Sequence, residues 1–275
     1  MKLKEMRNHR WTRTIVAIVL RAVAVIIPRR TVLAAKVHFV VANLCHDSSN
    51  IGSAKRHFDA AVADARFAGN ELLLADILRK RGFFKLNVLK DLPGSFKDID
   101  ESVKIVEKEI QALTPLKEQV DNATWLERRR AIWRVAANAY AALNNYHFDT
   151  GDMLLAEMYC ERAIFFARQA GYRERVITLM GDIGNVYVQS RSWDKAVRTL
   201  EETNAMAKKS YHHAVPSSYM RLSAVYSDID SPYYDPDEAL RCARSALSWA
   251  RRSKWPKETK EAQALVDGLM AKFNQ

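Results

Sequence analysis

Cysteine, glycine, proline and long apolar runs are all scarce in this chain, and each scarcity removes a class of protein. The three cysteines, Cys45, Cys160 and Cys242, stand far apart with no CxxC pair. That argues against a disulfide framework or a zinc site, and for burial as small hydrophobes in a reducing compartment. Nine Gly and seven Pro in 275 residues leave no Gly-rich loop to cradle a phosphate and suit a helix-rich domain. The apolar run Thr14–Ile27 is interrupted by Arg21, and Thr31–Cys45 carries Lys36 and His38. Neither reaches the ~18 uncharged residues of a spanning helix.

Catalytic groupings are missing too. His212-His213 is the one histidine pair, without a Glu or Cys at ligand spacing, so no metal site is expected. His147 and Asp149 fall in what reads as a long turn from Asn144 to Asp152, with no nucleophile placed beside them. The expectation is a protein that is not an enzyme and needs no cofactor.

Acidic residues are scarce in one place only. Met1–His46 holds nine Lys/Arg against one acidic residue, whereas Asp47–Gln275 holds 34 against 31. The net charge of +11 therefore belongs to the N-terminus, and the body is nearly neutral. On a helix Arg10, Thr14, Ala17, Arg21 and Ala24 share one side, leaving Ile15, Val19, Val23 and Ile26 on another. Residues 1–30 are open to three readings: a mitochondrial targeting segment, an amphipathic helix on an anionic membrane surface, or a capping helix. Localisation is thus open between mitochondrial and cytoplasmic.

What the chain does have is a repeat. Ala54, Phe58 and Ala61 stand at spacings of four and three, as do Ala156, Cys160 and Ala163, then Ala196, Leu200 and Thr203, then Ala239, Ala243 and Ala246. The segments that end these helices agree as well: AVADARFAG from Ala61, AIFFARQAG from Ala163 and ALSWARRSK from Ala246. Preceding helices carry a small residue and an aromatic three apart, as Ala137/Tyr140, Gly184/Tyr187 and Ser223/Tyr226. The leading alanines Ala156, Ala196 and Ala239 are 40 and 43 residues apart. Between Ala54 and Ala156 there is room for one more unit, with helices at Asn70–Lys80 and Ser102–Leu113 joined by a loop near Leu92-Pro93-Gly94.

In the best-formed unit, Ile177–Ala207, a turn at Gln189–Ser192 separates two antiparallel helices, with Trp193 just after it. First helices are also expected at Ile132–Leu143 and Tyr219–Ser227. The turn Ser231–Pro236 runs into a helix starting near Asp237. Lys257–Phe273 reads as a last helix with a polar outer face.

On these residues the chain resembles tetratricopeptide-repeat proteins of a long-period type, with repeats of roughly 40 residues. The resemblance covers about Thr31 to Lys254 and departs from the usual pattern at Thr203, where Ala is common, and at Arg191, where the turn usually has Gly. It implies an all-α, right-handed superhelical solenoid of about five helix pairs with a C-terminal capping helix. The domain reading is a basic segment at 1–30, a repeat domain at 31–254 with a possible joint near 114–124, and a cap at 255–275.

In that family the first helices line a groove for a peptide or helix of a partner protein. By spacing, the groove positions here are Arg134, Asn138, Asn185, Gln189 and Arg221. Arg134 and Asn138 look like the basic residue and Asn that grip a partner's carboxylates, but Asp182 stands where another Asn is expected and Ser217 where a Lys is. The implied function is a protein-interaction adaptor or complex-assembly factor. Two alternatives stay open. One is an RNA- or ribosome-associated protein using the basic run Arg128, Arg129 and Arg130, against which the near-neutral body counts. The other is a regulatory protein that senses a peptide.

Overall fold

The computed structural model describes Pro28 and residues 30–273. The expectations for residues 1–30 fall, Pro28 and Arg30 apart, outside the described residues. Every regular element among those residues is a helix. The first pairs in chain order are α1 (Val32–Asp47) with α2 (Ile51–Phe67), and α3 (Glu71–Phe84) with α4 (Leu92–Gln111). A four-residue α5 (Leu113–Leu116) precedes the long α6 (Asn122–Thr150) and then α7 (Met153–Gln169). There follow α8 (Arg173–Gln189), α9 (Trp193–Ser210), α10 (Val215–Ser227), α11 (Pro236–Arg252) and a terminal α12 (Pro256–Phe273). The architecture is the expected all-α helical-repeat solenoid. Two compact units divide between Tyr146 and His147, within α6.

The turns between helices share one chemistry. Ser49, Gly69, Lys90, Gly151, Gly171, Arg191 and Lys254 all take φ between 56° and 87°, the left-handed conformation that ends a helix without clashing its last carbonyls. The next amide then bonds back five residues, as in Asn70 N to Ala65 O (3.3 Å), Tyr172 N to Ala167 O (2.9 Å) and Ser192 N to Tyr187 O (2.8 Å). The residue after the left-handed one opens the following helix. At Asn50, Asn70, Asp91 and Asp152 its side chain accepts from the amide three residues on, at 2.9–3.2 Å. A free amide at a helix start is satisfied in this way. Helix stop and helix start thus occupy two adjacent residues, which forces the antiparallel hairpin.

Close packing within each pair depends on small residues. In the second unit, a Cβ placed on Gly184 of α8 would lie 2.5 Å from Leu200 Cδ2 of α9, and Leu200 is fully buried. Tyr187 is buried one turn further along, as the small-plus-aromatic pattern requires. In the first unit, Gly82 of α3 meets Ile99 of α4 in the same way, at 2.6 Å from the added Cβ to Cγ1. Phe58 of α2 and Phe84 of α3 are both buried and pack with centroids 5.4 Å apart. The repeat alanines Ala54, Ala61, Ala156, Ala163, Ala196, Ala239, Ala243 and Ala246 are all solvent-inaccessible.

The first unit also has a charged core. Asp98 of α4, 1% exposed, accepts from Arg81 Nε at 2.7 Å and Nη2 at 2.8 Å, and lies 2.8 Å from Lys85 Nζ. Two cations offset the desolvation of this carboxylate.

Several sequence boundaries are corrected. Leu92-Pro93-Gly94 is no loop: Asp91 caps the helix there, and Pro93 sits in its first turn, where its missing N–H has no intrahelical partner to lose. The preceding helix runs through a π-helical turn at Lys85–Leu89 rather than ending near Lys80. The stretch from Asn144 is not a long turn either. It remains helical to Thr150, leaving Gly151 (φ 87°) and Asp152 as the turn. Its first helix is accordingly 29 residues long, not the span 132–143.

Candidate functional site

The polar side chains singled out by spacing lie on first helices. On α8, Thr178, Asp182, Asn185 and Gln189 stand at intervals of four, three and four, half-buried except for the exposed Gln189. That is one stripe down the helix. The opposite side holds the buried Ile177, Met180, Ile183 and Tyr187, so burial of the apolar face fixes the direction of the polar one. On α10 the corresponding residues are Ser217 and Arg221, both half-buried.

The structure brings Asp182, Ser217 and Arg221 together. They share a recess of about 140 Å3 with Gly181, Thr203 and His213. Arg221 Nη2 lies 3.2 Å from Asp182 Oδ1. The guanidinium reaches that carboxylate by crossing Gly181, where a Cβ would be 2.4 Å from its Nη1. Asp182 therefore arrives at this surface already paired, and its repulsion of an incoming carboxylate is offset. Ser217 turns its hydroxyl to Ala214 O at 3.1 Å. Thr203, the departure from the usual Ala, is buried with its hydroxyl donated to Thr199 O at 2.7 Å.

Arg134, exposed, and Asn138, half-buried, are one turn apart on α6 in the first unit. They are not brought together with the α8–α10 residues in one described site. The basic run next to them is largely engaged within the protein. Arg128 pairs with Glu109. Arg129 lies 4.4 Å from the ring centroids of both Trp125 and Trp133, a sandwich that holds a guanidinium by cation–π attraction. Arg130 is exposed.

The histidine groupings find packing roles. His212 stacks on Trp249 (5.6 Å) and His213 on Trp255 (4.2 Å). His147 lies in the last helical turns of α6 and stacks on Tyr159 at 5.3 Å. Its burial lowers its pKa, opposed by Asp152. Among the described residues no three His, Cys, Asp or Glu side chains are placed to hold a metal ion, and no helix is long and apolar enough to cross a membrane.

No family model matches the chain, and no curated protein matches it by sequence. Solved structures do match it in fold. The crystal structure of aspartyl phosphate phosphatase F from Bacillus subtilis superposes with a TM-score of 0.61 at 11% identity, over 96% of this chain and 61% of that one. The chain thus spans about three fifths of that protein's length. The assembly chaperone of RpL4, Acl4, gives a TM-score of 0.54 at 14% identity, over 100% of this chain and 97% of that one. BtubC from P. vanneervenii gives 0.50 at 12% identity, over 98% and 92%. At such identities the likeness is one of fold.

Proposed function

We propose that this chain is a non-enzymatic protein-interaction scaffold, an adaptor or complex-assembly factor that holds a peptide or helix of a partner protein on its first-helix surfaces. The observation that carries this reading is the polar stripe of α8, Thr178–Asp182–Asn185–Gln189, set against a fully apolar opposite side. A stripe of amide and hydroxyl groups on a rigid helix offers pre-placed donors and acceptors, so only the ligand must become ordered on binding. Arg134 and Asn138 on α6 supply a second polar pair of the same kind. The likeness in fold to a solved assembly chaperone, over nearly the whole length of both chains, supports the assembly-factor form of the reading. The long-period tetratricopeptide assignment belongs to the same proposal, with the 40-residue spacing from Ala156 to Ala196 as its support.

The test is affinity capture of the natural protein from its own cells, with mass spectrometry and a nuclease control. A stable set of partner proteins is expected to survive nuclease, and to be lost from Arg134→Glu or Asn185→Lys variants that keep the wild-type helical spectrum. Capture unchanged in both variants would sink the assignment of these surfaces. Loss of the set on nuclease treatment would move the reading to nucleic acid.

A further inference from the structure

Two clefts of the second unit are copies of one another. In the first, Glu161, Ile164, Phe165 and Arg168 of α7 face Ile183 and Tyr187 of α8 across about 530 Å3. Forty residues on, Glu201, Asn204, Ala205 and Lys208 of α9 face Leu222 and Tyr226 of α10 across about 520 Å3. Glu202 closes the first cleft from α9, and Arg241 closes the second from α11. The backbone repeat thus makes the same cleft twice, and the differences are confined to side chains.

Those differences have a direction. Phe165, 54% exposed, covers the first cleft, and Ala205 leaves the second uncovered. Position 204 is buried in every unit in which the repeat is legible: it is Val62 (4%), Ile164 (9%), Leu247 (8%) and here Asn204 (7%). Three units use an apolar side chain, as a buried site in a helix pair demands, and one uses an amide. No hydrogen bond reaches Asn204 Oδ1, so this amide carries a desolvation cost that Ile or Leu would not. Natural sequences break a local rule of this kind chiefly where function requires it. The terminal torsion of Asn is soft and two-fold, so either its oxygen or its nitrogen can face the cleft that it lines. At the same end Lys208 and Lys209 replace Arg168 and Gln169. Lys208 Nζ rests 4.9 Å from the Tyr219 ring centroid, and both lysines are exposed. At the other end Glu238 is occupied by Arg241, at 2.6 Å from Oε2 to Nε. The Tyr226 hydroxyl, pushed to about 12 by burial and then by Glu201, stays a protonated donor at neutral pH.

We propose that the cleft between α9, α10 and α11 is a binding site for an extended acidic peptide segment. Its main chain pairs with the Asn204 amide, and its carboxylate meets Lys208 and Lys209. A primary amide complements one peptide unit, donor to C=O and acceptor to N–H. A helical ligand has already used those groups internally, so the amide selects an extended chain. The proposal rests on the reading of the protein as a scaffold and gives it a ligand chemistry on the side away from the α8 stripe.

The sister cleft supplies the controls, because Asn204→Ile and Ala205→Phe each rebuild what the first cleft already contains. Random heptapeptides displayed on phage are panned against the full-length protein, and enriched peptides are measured by fluorescence anisotropy on wild type and both variants. The expected result is enrichment of peptides containing Asp or Glu whose affinity falls ~10-fold or more on either variant and weakens with added salt. Asn204→Ile is expected to melt at or above the wild-type temperature, since it restores the residue type of the other units. A lower melting temperature would make the amide a structural group and overturn the proposal. Enriched peptides that bind both variants as tightly as wild type, or no enrichment at all, would also overturn it. If the enriched peptides are lost instead on Asn185→Lys or Arg134→Glu, the scaffold reading stands and the cleft assignment falls. A labelled oligouridylate that binds in place of peptides, with the same sensitivity to the two variants, would reassign the cleft to nucleic acid.

Discussion

Single residues set the limits of this fold at its turns and its closest approaches. Arg191 occupies a left-handed position, φ 56°, in a turn whose counterpart one unit earlier uses Gly171. A side chain with a Cβ is strained there by roughly 1 kcal/mol or more. Its guanidinium does meet Asp230 at 2.9 Å, but both side chains are more than half exposed, and such a pair is worth little. Arg191→Gly is therefore expected to raise the unfolding free energy in urea by about 0.5–1 kcal/mol, and a fall would show that the ion pair outweighs the backbone. Gly184 is the opposite case. Its Cβ position is taken by buried Leu200, so Gly184→Ala is expected to cost about 1–3 kcal/mol through overpacking, read from the shift in urea midpoint. Both positions were legible in the sequence, Arg191 as a residue standing for Gly and Gly184 as the small member of a small-plus-aromatic pair. The pairing of Arg221 with Asp182 was not, because the two are 39 residues apart and meet only through the bare backbone of Gly181.

At the scale of elements, the hairpins are specified by a two-residue punctuation, left-handed stop then capped start. Where the stop is Gly69 or Gly171 the sequence announces it. Where it is Ser49, Lys90 or Lys254 the hydrophobic pattern alone must locate the turn. This explains the misread second pair: Lys90-Asp91 carries no glycine, while the nearby Pro93 and Gly94 resemble a loop yet lie inside the first turn of α4. Once folded, α3 and α4 are locked by Asp98 between Arg81 and Lys85. Asp98→Ala would leave those cations, each less than a fifth exposed, without their central carboxylate. Removing one partner of a buried charge group typically costs about 3–5 kcal/mol. The expected outcome is a large loss of stability with α8–α11 still helical. A change under about 1 kcal/mol would mean that water already solvates the pair.

On the scale of the molecule, helix pairs contact mainly their neighbours, so damage should stay near its source. The three buried thiols make this measurable. Cys45 reports on the first unit, Cys160 and Cys242 on the second. Burial foremost pushes the Cys160 thiol well up and that of Cys242 to about 11, so both are protonated and inert at neutral pH while folded. Folded protein is expected to give no rapid reaction with a disulfide reagent, and to release three thiols on unfolding. In a urea series, Gly184→Ala should lower the labelling midpoint of Cys160 and Cys242 and move that of Cys45 by much less. Equal shifts for all three would mean that the chain unfolds as one cooperative block.

The sequence alone determined that this chain is a stack of helix pairs. Recurrent Ala at spacings of four and three, a small residue before an aromatic, and scarce Gly and Pro are local properties, and local properties are what periodicity records. It also placed the candidate surface residues on first helices, since a helix that buries one side must turn the other outward. Tertiary structure decided what those residues meet. Whether Asp182 repels or is neutralised, whether Arg128 and Arg129 point to solvent or to Glu109 and two tryptophans, and whether Asn204 is paired all depend on partners 19 to 39 residues away or on none. Those distances are set by packing between helices, and no pattern along one helix contains them.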